Sequence, residues 1–242
     1  VDAGLPPMHV LPAKVLRELG RFPDNREGHA VDARTVLLHG RHAVIMLFSH
    51  RWLRPEQGLP DDEAGTKLTA VLQFVRWYEA KYPTRELFFW IDYCCIGYHD
   101  RPAGIAALPA YVATATDLLC YETPDYAERA WCRLERAVAY AYMFSGALPW
   151  VIRAGFEATE PPQGVRRQIV RLLDPAEGAL TVPADMEHIV ALLAVAQKSK
   201  AAAAWGMQRT LAFGEKGTEI TAVEPGCASV GKQGAPAMGL PP

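Results

Sequence analysis

The sequence predicts an α/β domain, a three-layer sandwich in which a central parallel sheet carries helices on both faces. Two observations lead to it. Residues 42–48 (HAVIMLF) and 87–91 (LFFWI) are short unbroken apolar runs rich in branched and aromatic side chains, the mark of strands buried on both faces. Residues 118–121 and 150–152 are shorter runs of the same kind. Between the runs the periodicity becomes helical, and a strand-helix-strand-helix order calls for right-handed crossovers and parallel pairing.

The helices follow in order. Leu68, Val71, Leu72, Val75 and Tyr78 recur at helical spacing, and Pro83 stops that helix. Asp125 and Glu128 have the spacing of a capping box, opening a helix whose inward stripe is Trp131, Leu134, Val138 and Ala141. Two more helices are expected over 165–173 and 185–196. Residues 1–40 read as an N-terminal extension, 41–198 as the domain that builds the core, and 199–242 as a low-complexity, disordered tail. From residue 225 onward Gly, Pro, Ala and Lys alternate without an apolar period, so burial cannot offset the entropy of ordering and disorder is expected. No internal repeat is visible.

Composition narrows the function classes. A chain of 242 residues, 50% apolar and 21% charged, suits one ordinary core. A formal net charge of -2 lacks the clustered surplus of Lys and Arg that phosphate neutralisation needs, so nucleic acid is not expected as a partner. The longest apolar run, 189–196, falls short of the roughly 18 to 20 residues that cross a bilayer. No cleavable leader is read at the N-terminus, although a first residue of Val is compatible with a fragment boundary. The expectation is a cytoplasmic protein with no membrane partner. Five cysteines, odd in number and with no C-x-x-C pair or zinc-spaced His, read as buried thiols in a reducing compartment.

In such a sheet a ligand crevice lies beyond the carboxyl ends of the strands, where strand order reverses. Three clusters fall there. Ser49, His50, Arg51 and Trp52 follow the first strand directly. They suit a ligand loop, in which the guanidinium fork would take a pyrophosphate or ribose; they equally suit an ordinary connection with Trp52 packed as a lid and Arg51 paired with Asp61 or Asp62. Asp92 ends the second strand, within reach of a ligand or of the loop it would cap. On the third helix, Trp131 and Glu135 are four residues apart and share a face, so Glu135 either looks into an aromatic-lined cavity or pairs with Arg136 or Arg129 at the surface while Trp131 joins the core. A nucleophilic role for Cys94 or Cys95 would need a nearby base, and none is identified. Neither G-x-G-x-x-G, G-x-x-x-x-G-K-[ST] nor G-x-S-x-G occurs, and no zinc pattern is visible, so no metal or bound cofactor is expected.

With Ser49-His50-Arg51-Trp52 after the first strand, Asp92 closing the second, and Tyr126-x-x-x-x-Trp131-Cys132-x-x-Glu135 after the third, residues 42–155 resemble the Toll/interleukin receptor (TIR) superfamily. Two features depart from that pattern. Arg129 and Ala130 stand just ahead of Trp131, where related sequences often carry a small hydroxyl residue, and residues 52–62 replace the usual Gly-Glu-Asp loop. The resemblance implies a flavodoxin-like sheet. It also implies cleavage of NAD, as substrate, at the nicotinamide-ribose bond, with Glu135 as the catalytic residue. Ser49, His50, Arg51, Trp52, Asp92, Tyr126 and Trp131 would line the substrate site. Many TIR domains act in innate immune signalling and assemble with copies of themselves or other TIR-like domains, some as adaptors without turnover, so a silent self-association module is the alternative. A nucleoside or deoxyribosyl transferase, which would also use a lone carboxylate, is the third possibility.

Overall fold

The computed structural model describes residues 4–97, 101–143, 149–157, 171–198 and 220–221. In chain order the strands are β1 (His9–Pro12), β2 (Val31–Asp32), β3 (Ala43–Ser49), β4 (Glu86–Trp90), β5 (Asp117–Tyr121), β6 (Trp150–Ile152), β7 (Arg171–Leu172) and β8 (Ile220–Thr221). The helices are α1 (Ala13–Leu19), α2 (Ala33–Leu37), α3 (Thr66–Lys81), α4 (Asp92–Cys95), α5 (Arg101–Ala106), α6 (Leu108–Thr114), α7 (Ala130–Tyr142) and α8 (Met186–Lys198).

Six strands form one mostly parallel sheet in the order β2-β1-β4-β3-β5-β6. The runs expected from sequence are its centre: β3 pairs parallel with β4 on one side and β5 on the other, and β6 extends the sheet beyond β5. Val44 to Phe48 are at most 1% exposed, which accounts for the unbroken apolar run in β3. From β3 the chain crosses to β4 on one side and then back over to β5 on the other. This reversal sends successive right-handed crossovers to opposite faces. One face carries α1 and α3, which touch each other; α6, α7 and α8 form a second contiguous group.

The stretch to residue 40, read from sequence as an extension, belongs to this sheet and its core. β1 pairs antiparallel with β4, β2 pairs antiparallel with β1, and Val10, Leu11 and Leu16 are fully buried. Three other expectations change. The spacing of Asp125 and Glu128 does not make a capping box: Asp125 makes no side-chain cap, residues Tyr126–Glu128 form a single 3-10 turn, and α7 opens only at Ala130. Of the helix expected over 165–173, residues 171–172 form β7, paired antiparallel with β8, residue 173 follows it without helical structure, and 165–170 lie outside the described residues. Within the tail expected to be disordered over 199–242, Ile220 and Thr221 form β8 by pairing with β7, and the other residues lie outside the described ones.

Two local devices position the carboxyl-end loops. The α3 N-terminus is held by a pair of adjacent carboxylates: Asp61 accepts from the Lys67 and Leu68 amides at 2.9 Å each, and Asp62 accepts from the Thr66 amide at 2.8 Å. Gly65, at φ 66°, supplies the left-handed turn just before the helix. The α7 N-terminus is braced by residues 174–181. The Ala130 amide donates to the Ala179 carbonyl (3.0 Å) and the Ala179 amide to the Glu128 carbonyl (2.7 Å), while Gly178 lies flat against Ala130.

Candidate active site

The carboxyl end of β3 lies between β4 and β5, at the reversal of strand order, and the site is built around its last residue. Ser49 pairs in register with Cys120 of β5 and is fully buried. Its hydroxyl donates to Glu135 Oε2 at 2.5 Å, and the Tyr126 hydroxyl lies 2.6 Å from the Ser49 Oγ. Burial, reinforced by Cys120 and Cys132, pushes the Tyr126 phenol well above its usual range, so it stays protonated and donates. The resulting chain runs Tyr126 to Ser49 to Glu135.

Glu135 projects from the second turn of α7 and is part-buried. Burial raises its carboxyl to about 8; the Ser49 hydrogen bond opposes this and the charge of Asp92 adds to it. The surface pairing with Arg136 or Arg129 does not form. Arg136 faces Glu122 at 3.9 Å and Arg129 binds the Thr181 hydroxyl. Among the described residues, no Lys or Arg forms an ion pair with Glu135.

Asp92 begins α4, and its Oδ1 accepts from the Tyr93 amide at 2.7 Å. Oδ2 accepts from the Trp52 indole at 2.9 Å, and Trp52 meets Tyr93 edge to face with ring centroids 5.6 Å apart. His50 Nε2 lies 3.3 Å from Oδ1, outside hydrogen-bond geometry. Burial works to raise the Asp92 carboxyl, but the adjacent His50 ring, the Trp52 indole and the Tyr93 amide hold it below its usual value. Its side chain keeps 39% of its surface open, so an ionised carboxylate is within reach of a ligand.

Two of the expected site residues turn elsewhere. Arg51 pairs with Asp125, itself fixed by the Thr123 hydroxyl at 2.7 Å, and the Arg51 Nε donates to the Trp52 carbonyl at 3.1 Å. Asp61 and Asp62 are not its partners because both cap α3. The Trp131 indole donates to Asp185 at 3.0 Å, just ahead of α8. It ties α7 to α8, although it shares a helix face with Glu135. Ser49, Tyr126 and Glu135 therefore make one cluster, His50, Trp52 and Asp92 an adjacent one, and Arg51 stands beside both with its charge engaged.

Lys67 is the residue that sequence reasoning missed. It is fully buried, with Nζ 2.9 Å from His50 Nδ1, 2.7 Å from the Arg51 carbonyl, and in contact with the Pro60 carbonyl. A signal existed: Lys67, Val71, Phe74 and Tyr78 fall on one helical stripe, and a lysine on an otherwise apolar stripe asks what its charge faces.

A cavity of about 280 Å³ lies at the other end of the sheet, beside the start of β4, lined by Pro12, Arg17, Glu79, Pro83 and Glu86 among others. Its main polar feature is the exposed Arg17–Glu79 pair, and no catalytic grouping converges there. Among the described residues no group of three His, Cys, Asp or Glu is arranged to hold a metal ion. Comparison with family models, with curated proteins and with solved structures returned no match. The functional reading therefore rests on the site itself.

Ser49→Ala tests the local linkage. It leaves the buried Tyr126 hydroxyl without its acceptor and removes the one hydrogen bond that lowers the Glu135 pKa. The expected result is a loss of about 1–3 kcal/mol in urea unfolding, together with an upward move of the Glu135 titration followed by carboxyl-selective NMR.

Proposed function

We propose that this chain is a TIR-like protein of flavodoxin type that cleaves NAD at the nicotinamide-ribose bond, with Glu135 as its catalytic carboxylate. The observation that carries the reading is the Ser49–Glu135 hydrogen bond, which joins the end of the first parallel strand to the helix after the third. The order of the four parallel strands, second-first-third-fourth, supports the flavodoxin-type assignment, and the site lies at the reversal where such sheets bind ligands.

The chemistry needs few groups. Nicotinamide leaves a cationic ring as a neutral molecule, so no acid has to protonate it, unlike the leaving oxygen of an ordinary glycoside. The C1′–N bond breaks with its electron pair on the departing ring. A water oxygen, or a nucleophile on the same molecule in a cyclisation, bonds to C1′, and the released proton passes to solvent. Ionised Glu135 would stabilise the oxocarbenium-like transition state and Asp92 would hold ribose hydroxyls. Trp52 offers a stacking face. A diphosphate would draw Arg51 from Asp125.

Two observations favour a catalytically silent module. Arg51 is engaged by Asp125 and Glu135 holds its proton near neutral pH, so the free chain is a resting form. Self-association, with copies of itself or other TIR-like domains, is what would convert it under the first reading. A cytoplasmic setting belongs to the same proposal and agrees with the free thiols of Cys94, Cys95, Cys120 and Cys132.

The pH profile is the test. A carboxyl raised to about 8 is ionised only above that pH. The expected kcat/KM for nicotinamide release climbs about tenfold per pH unit below about 8 and then levels. The limb in kcat should lie lower, because the cationic ring favours the carboxylate. A profile flat from pH 6 to 9 would contradict the role of Glu135.

A further inference from the structure

A lysine at position 67 is expensive for the fold. It occupies the second position of α3, where the helix dipole disfavours a cation, and it is fully buried. An apolar side chain on that stripe would complete the core without this cost. What the ammonium does instead is reach the loop that follows β3. Its three protons meet three acceptors: the carbonyls of Arg51 and Pro60, and His50 Nδ1. The Tyr121 ring lies 5.7 Å away.

This arrangement decides where the His50 proton sits. Nδ1 lies 2.9 Å from Nζ and 3.2 Å from the Arg51 carbonyl, so it either accepts from the ammonium or donates to that oxygen; a charged Lys67 selects acceptance, which leaves the proton of the neutral ring on Nε2. That N–H faces Asp92 Oδ1 across 3.3 Å. The opposite tautomer would turn a lone pair toward the carboxylate and a proton toward the ammonium. The Trp52 indole and the Tyr93 amide donate to the same carboxylate, and the Nε2–H approaches it as a favourable dipole without meeting hydrogen-bond geometry.

We propose that Lys67 is a positioning residue, which fixes His50 as the Nε2–H tautomer and through it orients Asp92 toward a ligand hydroxyl. The ligand half of this inference rests on the reading above, with a ribose as the group received; the tautomer half does not. A lysine that merely stapled the loop to α3 would leave the His50 proton indifferent to its charge.

The charged and titratable groups around Lys67 are Asp61 ahead of α3, Arg51 and His50 after β3, Asp92 at the start of α4, Tyr121 at the end of β5 and Cys132 on α7. Burial is the largest influence and brings the Lys67 amine down to about 7; the carboxylates of Asp61 and Asp92 oppose it. His50 is lowered too, first by burial and then by Lys67. Below about pH 7 the ammonium persists, and its charge, with burial, biases the neighbouring imidazole toward the neutral form.

Nitrogen-15 NMR of His50 in the full chain at pH 6 tests this without any ligand. The wild-type ring is expected neutral with its proton on Nε2. In Lys67→Met, which removes both donor and charge, the ring should take up a second proton opposite Asp92, its titration moving up by about one pH unit or more. Lys67→Arg should restore the neutral ring. Finding His50 of the wild type protonated, or as the Nδ1–H tautomer, overturns the proposal even if the Met variant fails to fold, as does an unchanged spectrum in a folded Met variant. In parallel, nicotinamide release from NAD by Lys67→Met is expected to show KM raised about tenfold, with kcat changed less. Absence of release by the wild type would overturn the glycohydrolase reading and the ribose role of Asp92, while the His50 spectrum would still decide the grip of Lys67.

Discussion

Glu135→Gln is expected to silence the site and, above pH 8, to stabilise the protein. Gln keeps a carbonyl for the Ser49 hydroxyl and nearly the same volume, but it has no charge to offer a developing cation. Removing a preorganised charge-stabilising group costs about 10²–10³-fold or more in turnover. The stability effect has the opposite sign. The Glu135 carboxyl is raised from 4.5 to about 8 by burial, so the folded chain binds a proton that the unfolded chain releases between those values. Its favourable contribution is complete below 4.5 and is lost as pH rises through about 8. Gln does not titrate. Urea unfolding should therefore show the variant close to wild type at pH 5 and more stable by about 2–4 kcal/mol at pH 9. A stability difference independent of pH would mean that this carboxyl is not held in a desolvated place.

Gly178→Ala carries the second large effect, and it acts on the scaffold. A Cβ at Gly178 would lie 2.4 Å from Ala130 Cα and 2.5 Å from Ala130 N. These are backbone atoms at the first turn of α7, and they cannot swing aside as the end of a side chain would. The two hydrogen bonds between this segment and the α7 N-terminus, Ala130 amide to Ala179 carbonyl and Ala179 amide to Glu128 carbonyl, would have to lengthen together. The expected cost is about 2–3 kcal/mol or more, seen as a fall in Tm of about 5–10 °C. Since α7 carries Glu135, nicotinamide release should fall as well. A Tm within about 1 °C of wild type would show that the 174–181 segment does not brace the helix.

These two residues mark where the sequence was legible and where it was not. The central strands were readable because residues buried on both faces leave unbroken apolar runs, and the α3 and α7 stripes were readable because Phe74, Val75, Leu134 and Val138 must meet the sheet side at helical intervals. β1 was not. Its four residues end in Pro12 and pair antiparallel at β4, where a run so short has no period to detect. Spacing alone put Ser49, Asp92, Tyr126 and Glu135 near one end of the sheet, and all four are there.

The partners of each side chain were a different matter. Asp125 and Glu128 imitate a capping box, yet the Asp125 carboxylate pairs with Arg51, a contact across 74 positions that no local pattern carries. Asp185 lies 54 positions from Trp131, and its hydrogen bond depends on how α8 packs on α7. Gly178 looks like any loop glycine until Ala130 is placed beside it. Long-range pairings arise from the topology, and the pattern along the chain fixes that only in outline.

The proposed activity requires Glu135 to act on the bond between nicotinamide and ribose. The most direct measurement is nicotinamide released from NAD at pH 8–9 by the purified full chain at high protein concentration, beside Glu135→Ala under the same conditions. Release by the wild type and its loss in the variant is the expected result. Equal release by both, or none from either, would contradict it.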